Sequence, residues 1–491
     1  MAWFFGAGMA TDAFVTAFRI PNLLRDMFAE GALSSAFVPV FKERLVQQST
    51  DRAYRLADIV ITAILLVVGL IVVLGIIAAP VLIYISAHGF VDDPAKFDLT
   101  VNMTRIMMVY LLLISLSALA MGMLNSLGRF GVPALSPALF NLGVVGGVVF
   151  LYSHFDQPAY TLAVGVVIGG AGQLAIQLPS LWRLGYRFRP RLDLLDEGLK
   201  KVLRLLTPMI IGLSAGRINI LVNTLLASFL IEGSLSYLNY SYRLMHFPLG
   251  VFAVALGTVT LPRVSGMVAE GNLTGLHRAF DEAVGINLFV VVPSAAFLGL
   301  MGRELVDLIY AWGAFDAVDA ANTTLALLHY AYGLIGFSAV RVVVPFFYAF
   351  GDSKLPMRVS VISVIVNMLL YYPLIQILSF AGLAAATSLA GLLNAFMLLY
   401  YLPRKGINVN WGRFGLKLVR LVVAAGLAFY SARLLPFDLA VGESEIVRRM
   451  VDLLVPVVVA GLVYVVLCAL MRVPEVGVLT RWATRRSQAG G

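Results

Sequence analysis

Five arginines, Arg19, Arg25, Arg217, Arg243 and Arg341, stand inside segments otherwise apolar enough to lie within a membrane. A charge at a bilayer centre costs about 2.5–3.5 kcal/mol even on a lenient insertion scale, so such residues face a bundle interior or a watery cavity. Guanidinium is the group best matched to phosphate, because its rigid fork of N–H donors meets two oxygens at once. Polar neighbours extend the pattern. Asp12, Thr16, Arg19, Asn22, Asp26 and Glu30 follow at spacings of 4, 3, 3, 4 and 4, and Ser236, Asn239, Arg243, His246 and Gly250 at 3, 4, 3 and 4. Each series marks one face of a helix. The second half carries no acidic residue in mid-membrane while arginines occur in both halves, so the chemistry expected is binding of an anionic cargo, with phosphate or pyrophosphate the best fit. A cation or drug exporter would show the reverse balance. Two alternatives stand beside this reading: snorkelling or internally paired arginines, strongest for Arg19 and Arg217, and stripes that only join helices to one another.

The elements that must position these residues follow from composition. Of 491 residues, 60% are hydrophobic and 13% charged, with a mean hydropathy of +0.90, whereas an ordinary soluble domain is about 25% charged. Apolar runs of membrane-crossing length recur throughout, each able to span a hydrocarbon core of about 30 Å. The chain therefore reads as an all-α polytopic membrane protein, which excludes a cytosolic enzyme, a secreted disulfide scaffold and a disordered chain. Apolar length predicts helices at 11–46, 57–87, 104–124, 132–152, 160–182, 205–231, 234–266, 279–301, 325–350, 359–379, 381–402, 415–436 and 449–471, thirteen in all, after an apolar stub at 1–8. Pro21 and Pro39 break the first, and Pro248 and Pro262 the seventh.

Charge placement sets the topology. Alternate connections and the C-terminus hold 25 Lys and Arg against six on the opposite side (Lys96, Arg105, Arg303, Arg433, Arg448 and Arg449). The rich side is cytoplasmic by the positive-inside rule, and the C-terminus lies there. An internal repeat supports the same frame. Ala32–Pro39 parallels Ala255–Pro262, and Gly128 with Pro133 parallels Gly351 with Pro356, all at an offset of 223. Six helices per repeat make the halves parallel, related by an axis along the membrane normal, with the polar stripes facing across a central cleft near mid-membrane. The expected organisation is a six-helix lobe at 1–200, a second at 201–408, and two extra helices with a basic tail at 409–491. The counterpart of helix 205–231 would start before Met1, so an upstream extension is expected.

Other motifs carry less. Gly212-Leu213-Ser214-Ala215-Gly216 matches a nucleophile elbow but lies inside an apolar helix. Asp92, Asp93 and Asp98 read as a solvated outer-loop cluster, the five histidines lack zinc-ligand spacing, and no P-loop is present. No metal and no cofactor is expected. Cys468, the one cysteine, reads as a small apolar residue. The +9 net charge belongs to topology rather than to nucleic acid. Gly143 with Gly147 and Gly165 with Gly169 read as helix-packing pairs.

Several blocks together resemble a known family. Phe5-Gly6-Ala7-Gly8-Met9-Ala10-Thr11-Asp12-Ala13-Phe14, Ile20-Pro21-Asn22-Leu23-Leu24-Arg25, Phe28-Ala29-Glu30-Gly31-Ala32, Asn125 to Phe130, Arg243-Leu244-Met245 with Phe247-Pro248, and Ala255-Leu256-Gly257-Thr258 are similar to the MurJ (MviN) family of lipid II flippases, over essentially the whole chain. The resemblance implies the multidrug/oligosaccharidyl-lipid/polysaccharide exporter fold, fourteen helices in two six-helix lobes plus two. It also implies outward flipping of undecaprenyl-pyrophosphate-linked peptidoglycan precursor by alternating access, driven by a membrane potential or ion gradient, in the bacterial cytoplasmic membrane. Asp12, Arg25 and Arg243 match cavity residues of the family, Arg341 matches a basic position, and Ser236 is a weaker match. Arg19 and Arg217 join the candidate cavity set from the residues alone. The last two helices would form a groove for the polyprenyl tail. Lipid II, membrane lipids and the cell-wall synthesis machinery are the implied partners of a monomer. Two features depart from the family: the Ser-Arg and Arg-Asp pattern upstream of Phe5-Gly6-Ala7-Gly8 is missing, and Tyr242 and His246 stand where some members carry acids. A flippase for another polyprenyl-linked glycan, a multidrug antiporter and a non-transporting scaffold for cell-wall synthases are the alternatives.

Overall fold

The computed structural model describes residues 1–28, 32–215, 218–434 and 444–477. Its secondary structure is helical, and the chain divides into two compact units. Unit 1 comprises Met1 and Ala7–Ser236; unit 2 comprises Ala2–Gly6 and Tyr237–Gly491. Among the described residues, ten helices are long and apolar enough to cross a membrane, or eleven when the bent pair Ala317–Ala331 and Gly333–Ala349 is taken as one span. The protein is a multi-pass membrane protein. Met9–Phe28 is not among the ten, because Asp12, Arg19, Arg25 and Asp26 all fall within its 20 residues.

In unit 1, Met9–Phe28 and Ala32–Gln47 occupy the expected helix 11–46, with residues 29–31 outside the described set. Thr50–Ser86 and Pro94–Ser126 follow, both longer than apolar length predicts. Polar capping extends them: Ser49 Oγ accepts from Arg52 N at 3.3 Å, and Asp93 Oδ1 accepts from Lys96 N at 3.1 Å with Pro94 at the first turn. Gly131–Leu151 then packs on Tyr160–Ala175. A side chain at Gly143 or Gly147 would strike the backbone of Gly169 or Gly165, so the paired glycines let these helices touch backbone to backbone. Glu197–Ala215 and Ile218–Ser228 close the unit, the first packing on Ala32–Gln47 around Phe37, Phe41, Leu56, Ile59 and Met123. Asp196 caps it, accepting from Leu199 N at 3.0 Å and Arg44 Nη2 at 2.8 Å. Burial works against the Asp196 carboxylate, but Arg44 and the backbone donors outweigh it and hold the group below its ordinary value.

In unit 2, Ser234–Pro248 continues from Tyr237 onward through a π-helical turn, Leu249–Ala253, into Val254–Ala269. The turn follows Pro248, whose ring removes a backbone donor and forces the ladder to shift. Leu273–Leu300 and the short Gly302–Ile309 come next. The expected single helix 325–350 is two pieces meeting at 42° around Tyr332. At that break Gly333 is pressed against Ser388, leaving no room for a side chain. Lys354–Leu378, Phe380–Tyr401, Trp411–Leu434 and Glu445–Leu470 complete the unit. The last two share one core with the rest, built on Phe280, Phe346, Leu398, Leu421 and Tyr464. Asp352, in the connection before Lys354, accepts from Leu355 N at 3.1 Å and pairs with Lys405 at 2.7 Å. The lysine, then the backbone donor, keeps its carboxyl below the ordinary value.

Candidate functional site

In unit 1, Asp12 is the most enclosed of the candidate charges, at 1% exposure. One carboxylate oxygen accepts from Ser236 N at 2.9 Å and Ser236 Oγ at 2.6 Å. The other accepts from Gly233 N at 2.9 Å and Lys96 Nζ at 2.8 Å. Gly233 and Ser236 lie at the first turn of a helix, where backbone N–H groups have no partner within the helix, so the carboxylate both satisfies donors and meets the positive end of the helix dipole. Lys96 is 7% exposed and lies over the Phe90 ring at 4.4 Å. Glu232 Oε1 accepts from Met9 N at 2.6 Å, tying the same short segment to the start of Met9–Phe28.

Arg19 and Arg25 sit further along that helix. Arg19 donates to Thr224 Oγ1 and to Ile220 O at 3.3 Å, both on Ile218–Ser228. Arg25 Nη2 meets Asp26 Oδ1 at 3.1 Å, with side-chain exposures of 21% and 11%. Thr16 and Asp26 are buried, and Asn22 is half-buried. Arg217 and Glu30 lie outside the described residues, as do the side chains of the Gly212–Gly216 segment. Asp92, Asp93 and Asp98 are exposed, and no metal-holding group of three His, Cys, Asp or Glu occurs among the described residues.

In unit 2 the pattern is open. Arg243 is exposed, and its Nε donates to Asn239 Oδ1 at 3.0 Å, one turn back on the same helix. His246, a turn further, lies against Tyr242 with ring centroids 3.9 Å apart and planes tilted by 39°, within electrostatic reach of Arg341. Arg341 projects from Gly333–Ala349, is exposed, and has no carboxylate partner among the described residues. The backbone at Arg341 is held by close packing, since a Cβ on Gly257 would come within 3.0 Å of its carbonyl oxygen. Burial pushes the Tyr310 hydroxyl above its ordinary value while Arg243 pulls the other way, so the Arg243 charge is felt at Tyr310.

Of the candidate residues, Asp12 and Ser236 are in direct contact, and the Arg341 charge reaches His246, which stands one turn from Arg243 on the same helix. Lys96 and Thr224 complete the unit 1 arrangement and escaped sequence reasoning. Lys96 counted as an outer-loop charge because apolar length placed the helix start at 104. The Asp93-Pro94 pair, a cap followed by a first-turn proline, is the signal that puts Lys96 inside the helix.

Membrane-length helices in two units, with guanidinium groups set into apolar elements and exposed in one of them, define a multi-pass membrane protein equipped to meet an anion. A family profile described as "Lipid II flippase MurJ" matches residues 1–441, and the chain belongs to this family. The lipid II flippase MurJ of Burkholderia cenocepacia is 35% identical over 436 residues, covering 87% of this chain and 84% of that protein. A probable lipid II flippase MurJ of Rhizobium meliloti is 36% identical over 434 residues, covering 87% and 80%. Among solved structures, an inward closed lipid II flippase MurJ aligns with a TM-score of 0.78 at 24% identity, covering 96% of this chain and 94% of that one. An inward-facing multidrug transporter of the MATE family aligns at 0.68 and 16% identity, covering 82% and 92%. These two establish the fold. The family is one of transporters, not enzymes.

Proposed function

We infer that the protein moves lipid II, the undecaprenyl-pyrophosphate-linked peptidoglycan precursor, from the inner to the outer leaflet of the bacterial cytoplasmic membrane. The observation that carries this reading, within a chain of the MurJ family, is the exposed pair Arg243 and Arg341. Each is a fixed cation in an apolar element, and neither is neutralised by a carboxylate among the described residues. Pyrophosphate supplies the missing anion, and its oxygens would accept charge-assisted hydrogen bonds from both guanidinium groups. Arg19, Arg25 and Arg217 belong to the same cation set, and Asp12 with Ser236 orders the segment that leads into the Arg243 helix.

Alternating access carries the headgroup across, and a membrane potential or ion gradient drives it; no cofactor is needed. The lobes are 1–200 and 201–408, with 409–491 as an added helical pair that guides the polyprenyl tail. The C-terminus is cytoplasmic, on the Lys- and Arg-rich side. The protein works as a monomer beside the cell-wall synthesis machinery. Rescue of a flippase-depleted strain is the test. Wild type restores growth, whereas Arg243→Ala or Arg341→Ala at normal membrane level does not. Full rescue by both variants would refute pyrophosphate binding by these arginines.

A further inference from the structure

At one end of unit 2, where Leu273–Leu300 and Trp411–Leu434 begin and Glu445–Leu470 has just ended, a cavity of about 630 Å³ opens. Its charged lining is balanced: Arg278, Arg413 and Lys417 against Asp281, Glu282 and Glu475. Glu475 is only 7% exposed. One of its oxygens accepts from Lys417 Nζ at 2.6 Å, while Oε2 is enclosed and accepts no hydrogen bond from the described residues. The pair rests against Gly285, where a side chain would collide with the carboxylate. Glu282 is engaged by Arg263 at 2.9 Å. Arg278, Arg413 and Asp281 are exposed at the rim and have no ion-pair partner among the described residues.

An enclosed carboxylate oxygen without a donor is costly, and it is relieved by a ligand that brings an N–H. Two free guanidinium groups in the same cavity call for an oxyanion. The balanced lining disfavours a ligand with net charge of either sign. We propose that this cavity binds the headgroup of an aminophospholipid, its primary ammonium donating to Glu475 Oε2 and its phosphate held by Arg278 and Arg413. A soluble zwitterion such as phosphoethanolamine shares this chemistry. The lipid is the source that fits the setting, because the cavity lies at the ends of three membrane-length helices. Trp411 and Leu416 are also exposed there beside Arg413 and Lys417, as residues at a membrane interface are. A choline headgroup has no N–H to offer Oε2, and a glycerol headgroup has no cation.

Native mass spectrometry of the delipidated full-length protein in detergent, titrated with phosphatidylethanolamine, phosphatidylcholine or phosphatidylglycerol, tests the assignment. One saturable phosphatidylethanolamine adduct is expected, with weaker binding of the other two. The double variant Arg278→Gln/Arg413→Gln, which leaves the part-buried Lys417–Glu475 pair intact, should weaken that adduct by about tenfold or more. Glu475→Gln should erase the preference for ethanolamine over choline. Equal binding of phosphatidylcholine, or unchanged affinity in the double variant, overturns the site. Displacement of the lipid by an equal concentration of phosphoethanolamine overturns the lipid as its occupant.

Discussion

In unit 1 the charges set into apolar elements are held by protein: Asp12 by Lys96, Gly233 and Ser236, Arg19 by Thr224 and Ile220, and Arg25 by Asp26. In unit 2 Arg243 meets a neutral amide and Arg341 is exposed. Similar residue types therefore do different work. A buried ion pair with every carboxylate oxygen occupied positions the backbone, and its removal is felt as lost stability. An exposed cation without a counter-charge contributes little to folding and remains available to an anion. The difference separates the enclosed Asp12–Lys96 pair, which orders the molecule, from Arg243 and Arg341, which are offered to cargo.

The sharpest way to break this comparison is at Asp12. Asp12→Ala strands Lys96 as a buried unpaired cation and orphans the donors of Gly233 and Ser236, so a loss of about 3–5 kcal/mol is expected. It would appear as a large fall in the detergent melting temperature and in membrane level. Lys96→Met leaves three donors on Asp12 and should cost less, and the pair Asp12→Asn/Lys96→Met should recover part of the loss in a double-mutant cycle. Next in size, Arg243→Ala and Arg341→Ala should each weaken lipid II binding by about 10- to 100-fold, the worth of a charge-assisted hydrogen bond of about 1.5–3 kcal/mol. Their melting temperatures should stay near wild type, since surface changes usually fall within about 0.5 kcal/mol. Lysine at either position should restore only part of the binding, because an ammonium lacks the bidentate fork.

The smallest effect concerns acid stability, where the units should behave alike. Asp196 and Asp352 both cap helices outside the membrane spans and pair with Arg44 and Lys405. A carboxyl whose folded pKa lies below its unfolded value contributes stability that is fully present above the unfolded value, about 4. That contribution is lost as pH falls through the folded value. Melting temperatures recorded from pH 7 to pH 3 should therefore drop less steeply at the acid end for Asp196→Asn and Asp352→Asn than for wild type. An unchanged acid limb in both would show that neither cap matters.

The membrane class and the succession of apolar helices were legible in the sequence because apolar length reports directly on membrane burial. The partners of Asp12 were not. Nothing in the spacing of Asp12 points to Gly233 or Ser236, more than two hundred residues away, and Lys96 was hidden by a helix start whose polar first turns lie outside any apolar count. The break at Tyr332 escaped for a different reason. It has no proline, and it arises where Gly333 meets Ser388, a contact made by tertiary packing alone.

On this reading the open cations of unit 2 hold the cargo while the closed ion pair of unit 1 holds the structure. Lipid II binding to purified wild type, Arg243→Ala/Arg341→Ala and Lys96→Met, measured together with their melting temperatures, tests it most directly. The arginine variant should lose binding and keep its melting temperature, whereas Lys96→Met should melt lower and, where folded, still bind. Wild-type lipid II affinity in the arginine double variant would contradict it.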